Sequence, residues 1–127
     1  MKAIAFRSKK QKGKRLEAKV AQLIREKGLD NNAVRMPGSG AFDGFKTDIY
    51  TKLSYSFELK NQETVKLWEW WNQARDQASI AKPPVLVVGG NYRPILCVVE
   101  INTFLNLLLE VKQLRELLDK YQNHENL

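Results

Sequence analysis

The stretch Tyr55-Ser56-Phe57-Glu58-Leu59-Lys60 decides how the chain is read. Apolar and polar residues alternate along it, the period of a half-buried strand, so Glu58 and Lys60 point to one face while Phe57 and Leu59 point to the other. The two charged heads then lie side by side, roughly 7 Å apart at the backbone. Upstream, Thr47-Asp48-Ile49-Tyr50-Thr51-Lys52 is rich in β-branched and aromatic residues. It is expected to pair with the first stretch in a hairpin turning near Leu53-Ser54, which brings Asp48 beside Glu58.

Two converging carboxylates repel each other and prefer to share a hard cation. Magnesium takes oxygen ligands in octahedral geometry and keeps several waters. Such an ion acidifies water for attack on a phosphodiester and offsets the charge that grows at phosphorus. The compact ammonium of Lys60 can position the attacking water or neutralise that charge. A cross-strand salt bridge on a solvated face would use the same three residues, so the weight of the reading rests on three other places in the chain.

The first is charge. Lys2, Arg7, Lys9, Lys10, Lys12, Lys14, Arg15 and Lys19 put eight bases in the first twenty residues against the single acid Glu17. That segment carries the whole net charge of +7, because the other 107 residues hold 13 bases and 13 acids. A basic stretch of this kind is the footprint of contact with nucleic-acid phosphates, and no apolar run accompanies it to favour a membrane surface. Residues 1–12 read as a basic arm, and Lys14 and Arg15 extend it.

The second is Glu17 itself. From Lys14 to Lys27 the apolar residues Leu16, Val20, Leu23 and Ile24 recur at helical spacing, and Gly28 is the stop. Glu17 lies on the flank of that stripe, where it can reach inward as a third carboxylate or serve as an ordinary helix-surface partner. The third is the loop Arg35-Met36-Pro37-Gly38-Ser39-Gly40-Ala41, whose backbone N–H groups and hydroxyl can approach a phosphate closely.

In order, Gly13-Lys14-Arg15-Leu16-Glu17, Arg35-Met36-Pro37-Gly38-Ser39-Gly40, Thr47-Asp48-Ile49, Phe57-Glu58-Leu59-Lys60 and Gln73-Ala74 resemble the archaeal-type Holliday junction resolvases of the PD-(D/E)xK nuclease superfamily. The resemblance covers roughly the first two-thirds of the chain. It implies a restriction-endonuclease-like core and Mg²⁺, with Mn²⁺ able to substitute. The metal would be held by Glu17, Asp48, Glu58 and the backbone carbonyl of Leu59. It implies that Lys60 is catalytic, that Ser39 contributes to junction cleavage and that Gln73 supports the site. It also implies a homodimer acting on branched DNA, since a four-way junction needs two symmetric cuts. Thr47 departs from the pattern, in which proline is common, and the last third of the chain carries no matching motif.

The remaining sequence reads as one α/β domain with a mixed sheet of four to five strands flanked by helices. Leu67 to about Ala81 is expected to be a helix, closed by Lys82-Pro83-Pro84. Trp68 and Trp71 share a face by i,i+3 spacing and are expected to serve the core or a subunit contact. Trp70 lies off that face and is the candidate for stacking on an unpaired base, with core packing of all three tryptophans the plain alternative. Val85-Leu86-Val87-Val88 and Ile95-Leu96-Cys97-Val98-Val99 read as buried strands joined by a turn at Gly89-Gly90-Asn91. A final helix from about Asn102 to Tyr121 carries Leu107, Val111, Leu114, Leu118 and Tyr121 at 4,3,4,3 spacing, a seam that suits packing on the sheet or a dimer contact.

Cys97 is the only cysteine and His124 the only histidine, the latter in a polar tail over residues 122–127. Disulfides, structural zinc and histidine-based hydrolysis are therefore disfavoured. Neither a signal peptide nor a membrane span is read from the sequence, and no nucleotide-binding fingerprint occurs. A cytoplasmic location, in a prokaryotic cell or a virus-infected host, is the expectation. Two alternatives stay open: a nuclease of the same superfamily acting on flaps, single strands or duplex ends, and a non-catalytic nucleic-acid-binding module.

Overall fold

The protein is described by a computed structural model over residues 9–36, 47–90 and 92–125. In chain order the described elements are α1 (Lys9–Glu26), β1 (Val34–Arg35), β2 (Ile49–Tyr50), β3 (Ser56–Asn61), α2 (Leu67–Gln77), β4 (Pro84–Gly89), β5 (Leu96–Val98) and α3 (Ile101–Glu125). Arg7, Gly38 and Ser39, three of the candidate DNA-contacting residues, lie outside the described residues.

The stripe on α1 forms as its spacing requires: Leu16, Val20 and Ile24 are buried together with Ala21, while Lys14, Arg15 and Lys19 face solvent. Residues 9–12 of the basic stretch are helical and belong to α1, and residues 1–8 lie outside the described residues. The turn holding Lys12 is tied to the sheet, because its carbonyl accepts a hydrogen bond from the Asn61 side chain at 3.2 Å. Gly28 stops the helix with φ of 74°, a conformation that disfavours any residue with a Cβ. Its N–H bonds the Arg25 carbonyl at 3.0 Å and that of Leu29 bonds the Ile24 carbonyl at 3.2 Å, the paired bonds of a Schellman cap.

β3 and β4 pair in parallel, from Ser56 opposite Pro84 to Asn61 opposite Gly89, and β5 joins β4 antiparallel, with Leu86 opposite Val98. The order β3-β4-β5 gives a mixed three-stranded sheet, and β1 and β2 form an antiparallel ribbon beside it. Five strands flanked by helices agree with the expected α/β architecture and with a restriction-endonuclease-like fold, although the pairing differs from a single sheet. The run Thr47–Lys52 is strand only at Ile49–Tyr50, and its ladder partner is β1 rather than β3. The reason is local: the N–H of Phe57 donates to the Thr47 hydroxyl at 3.0 Å, so the backbone ladder with β3 cannot run on through that point.

α1 covers one face of the sheet, where Leu59, Val85 and Val87 join its stripe with Ala33 and Ile49. α2 covers the other, where Trp70 and Ala74 pack on Leu86. β4 is apolar on both sides because both of its faces are covered, as parallel strands between helices require. α2 ends at Gln77, short of Ala81, because Ser79 and Lys82 exchange backbone hydrogen bonds of 3.1 and 3.2 Å in a turn that a helix cannot share.

Two expectations are corrected here. Trp70 is 3% exposed and belongs to the core, so it has no face on which a base could stack, whereas Trp68 is 73% exposed. The i,i+3 pair Trp68/Trp71 shares a face, but the face that meets the sheet is the i,i+4 pair Trp70/Ala74, where a large and a small side chain fit around Leu86. The second correction concerns β5, which is an edge strand with Leu96 and Cys97 exposed rather than a buried one. α3 follows it without folding back over that edge. Its apolar residues remain exposed, and it makes no extensive packing contact with any other described element.

Candidate active site

Asp48 and Glu58 are brought together where the residues leading into β2 meet β3. The Asp48 N–H bonds the Phe57 carbonyl at 2.9 Å, and the Asp48 carbonyl accepts the Met36 N–H at 2.8 Å, so the residue is fixed from both sides by backbone. Its carboxylate accepts the N–H of Leu59 at 2.8 Å, a bond buried from solvent. Leu59 follows Glu58, so Asp48 is locked to the Glu58–Leu59 peptide, one residue before Lys60. Asp48 and Glu58 are 5% and 6% exposed, and their carboxyls are hydrogen-bonded to each other.

The electrostatics follow from that geometry. Burial first, and the Asp48 carboxylate second, push the Glu58 carboxyl up to about 7, against the pull of Lys60. The Lys60 ammonium stands 3.4 Å from Glu58 Oε1. Two buried carboxyls that meet, with Lys60 beside Glu58, can hold a proton in common or a hard cation, and a dication supplies charge that this pair lacks. The donor set therefore fits a divalent metal with oxygen preference. The Leu59 side chain is buried in the core, so only its backbone carbonyl is available to an ion.

Glu17 reaches the same place from α1. Burial, then the charge of Asp48, raise its carboxyl above the usual range, while Arg35 pulls it back down from 3.7 Å away. In this conformation Glu17 is engaged with Arg35, and among the described residues no three His, Cys, Asp or Glu side chains are close enough to hold one ion. Gln73 is exposed on α2 and makes no hydrogen bond to the carboxylates among the described residues. Of the candidate DNA contacts, Lys14 and Arg15 are exposed on α1, Lys12 is partly covered, and Arg35 is drawn to Glu17.

Two supports went unseen in the sequence. Thr47 stands where the resembled pattern has proline, and its hydroxyl does what a proline cannot: it accepts the Phe57 N–H at 3.0 Å and can donate to the Phe57 carbonyl at 3.1 Å. That clamp sets the angle at which Asp48 approaches β3. Asp30, buried just after α1, accepts the Thr51 hydroxyl at 2.7 Å, the Lys52 N–H at 2.8 Å and the Asn32 N–H at 3.0 Å. The Thr51 bond first, then the two backbone N–H groups, hold its carboxyl below the ordinary range. Asp30 thereby ties the far end of β2 to the end of α1 and anchors the ribbon from which Asp48 projects.

No curated protein and no solved structure matches the chain. No helix among the described residues is long and apolar enough to cross a membrane. The sequence model of the family described as "Phage putative PDDEXK endonuclease" matches residues 8–126. That span takes in Glu17, Asp48, Glu58 and Lys60 as well as α3, and by it the chain belongs to this phage PDDEXK endonuclease family.

Proposed function

We propose that the protein is a divalent-metal-dependent, structure-selective DNA endonuclease that resolves four-way junctions by paired symmetric nicks, working as a homodimer. The observation that carries the nuclease reading is the meeting of Asp48 and Glu58 on one peptide of β3, with Lys60 at 3.4 Å from Glu58. Asp48 and Glu58, joined by Glu17 and the Leu59 carbonyl, would hold Mg²⁺, or Mn²⁺ in its stead. When bound, the ion acidifies water and neutralises charge at phosphorus. The side chains do the rest. Lys60, 19% exposed, is open enough to orient the attacking water or meet a phosphate oxygen, while its contact with Glu58 keeps the ammonium in place. Lys14, Arg15 and Lys19, on the solvent face of α1, offer the phosphate backbone a row of cations.

The junction preference rests on the motif order shared with the resolvases, and substrate comparison tests it. A labelled four-way junction, a flap, a single strand and a plain duplex would each be incubated with Mg²⁺ and the protein, with Asp48→Asn as control. Paired nicks on the junction alone, absent in the variant, are expected. Cleavage of the flap or single strand instead would keep the chemistry and replace the substrate. Binding without any Asp48-dependent cleavage would refute the nuclease reading.

A further inference from the structure

Among the described elements, the 25 residues of α3 are the part that the core does not use. Phe104, Leu107, Val111, Leu114, Leu118 and Tyr121 fall at alternating spacings of three and four, and each is between 37% and 64% exposed. A helix whose apolar side meets nothing is unstable in water alone, and one this long and leucine-rich requires a partner surface. From Lys112 onward the side opposite the seam is polar, with Lys112 and Glu116 paired across it at 4.0 Å, so the helix has one wet side and one side to cover.

We infer that α3 is a self-association helix, pairing in parallel with α3 of a second copy of this chain. Three features select that occupant. The seam keeps the heptad spacing through Tyr121, which is the geometry of one helix packing against its like. Taking Leu107, Leu114 and Tyr121 as the d positions, Glu110 and Arg115 fall at g and e, so in a parallel pair Glu110 of each helix faces Arg115 of the other. An antiparallel pair sets Glu110 and Arg115 against leucines instead. Finally, the area suffices: six seam residues plus Leu108 and Leu117, each leaving roughly 80–120 Å² exposed, make about 640–960 Å² per chain when fully covered, against the ~800 Å² per partner of a standard interface.

The root of α3 continues the same surface. Trp68, Trp71, Val98 and Ile101 line an apolar groove of ≈ 270 Å³ between α2 and the start of α3. Parallel pairing brings the two grooves to the same end, where each closes the other, and sets the two α/β cores side by side at the N-terminal end of the helix pair. This arrangement rests on the exposed seam and holds whether or not the substrate is a junction.

Light scattering on the eluting full-length protein reads the mass directly. The wild type is expected at twice the chain mass of 14.7 kDa, and Leu114→Glu/Leu118→Glu at the chain mass, with a cooperative melt of the core retained. Should the charged variant fail to fold, cysteine cross-linking decides instead. In a Cys97→Ser background, Leu114→Cys, which faces its own copy only in a parallel pair, should oxidise to a covalent dimer, and Lys112→Cys on the polar side should not. A monomeric wild type, a dimer that survives both glutamates, or a cross-link through position 112 in preference to 114 would overturn the inference.

Discussion

Replacing Glu58 by glutamine should make the metal-free protein more stable above neutral pH, even as it destroys the site. The Glu58 carboxyl ordinarily titrates at 4.5 and is pushed up to about 7 in the fold by burial and by Asp48. A carboxyl whose folded-state value is raised binds its proton more tightly folded than unfolded. Its contribution to stability is therefore fully present below 4.5 and is lost as pH rises through about 7. At 1.36 kcal/mol per pKa unit the loss is about 3 kcal/mol, and the side chain is too buried, at 8% exposed, for solvent to screen most of it. For a domain of this size that corresponds to a fall in Tm of roughly 10 °C. Thermal melts in EDTA from pH 5.5 to 9 should show the wild type losing stability across this window, while E58Q stays nearly flat and overtakes it above pH 7. Saturating Mg²⁺ should restore the wild type alone, because only it retains both carboxylates to bind the ion. Parallel pH profiles for the two proteins in EDTA would refute the claim that Glu58 is strained by desolvation and by Asp48.

Thr47→Val keeps the shape but deletes the hydroxyl that bonds Phe57, leaving a partly buried N–H unpaired. It should cost about 1–3 kcal/mol in denaturant melts and lower the cleavage rate, whereas Thr47→Ser should retain most of both. Trp70→Ala should destabilise the fold by about 3–5 kcal/mol through the cavity left over Leu86, and Trp68→Ala by less than about 1 kcal/mol, a contrast that urea melts resolve. Neutralising Lys14, Arg15 and Lys19 together should reduce the salt slope of duplex binding by about 2.7 if each meets one phosphate, and an unchanged slope would remove α1 from the DNA interface. Ca²⁺ should support DNA binding without cleavage, because its looser coordination misplaces the water; efficient cleavage in Ca²⁺ would contradict the proposed chemistry.

The parts of the fold that repeat with a period were legible in the sequence, and the parts that depend on single side chains were not. The α1 stripe and its Gly28 stop, the two-sided apolarity of β4 and the shared face of Glu58 and Lys60 all follow from spacing. Glu17 could be placed on the inner flank of α1, but its contact with Arg35 depends on β1, a two-residue strand with too little sequence to announce itself. Asp30 gave no signal, because a lone aspartate after a helix looks like any turn residue until Thr51 and Lys52 arrive from 21 and 22 residues away. Trp70 is buried and offers no stacking face, while Trp71 packs beside it and Trp68 stays exposed, because spacing shows which of them share a face and says nothing of which face meets the sheet. The leucines of α3 read equally as core or interface for the same reason: periodicity reveals a stripe, and only the tertiary fold reveals whether anything covers it.

The independence of α3 from the core also orders events during synthesis. The described strands, α1 and α2, which between them position Glu17, Asp48, Glu58 and Lys60, all precede α3 in the chain, and the 26 residues from Glu100 to Glu125 take the ribosome about 1–5 s more. The strands and helices of the catalytic half therefore leave the ribosome ahead of the sticky seam of α3. Exposed leucines that would otherwise invite premature aggregation thus follow the core elements out of the ribosome and do not precede them.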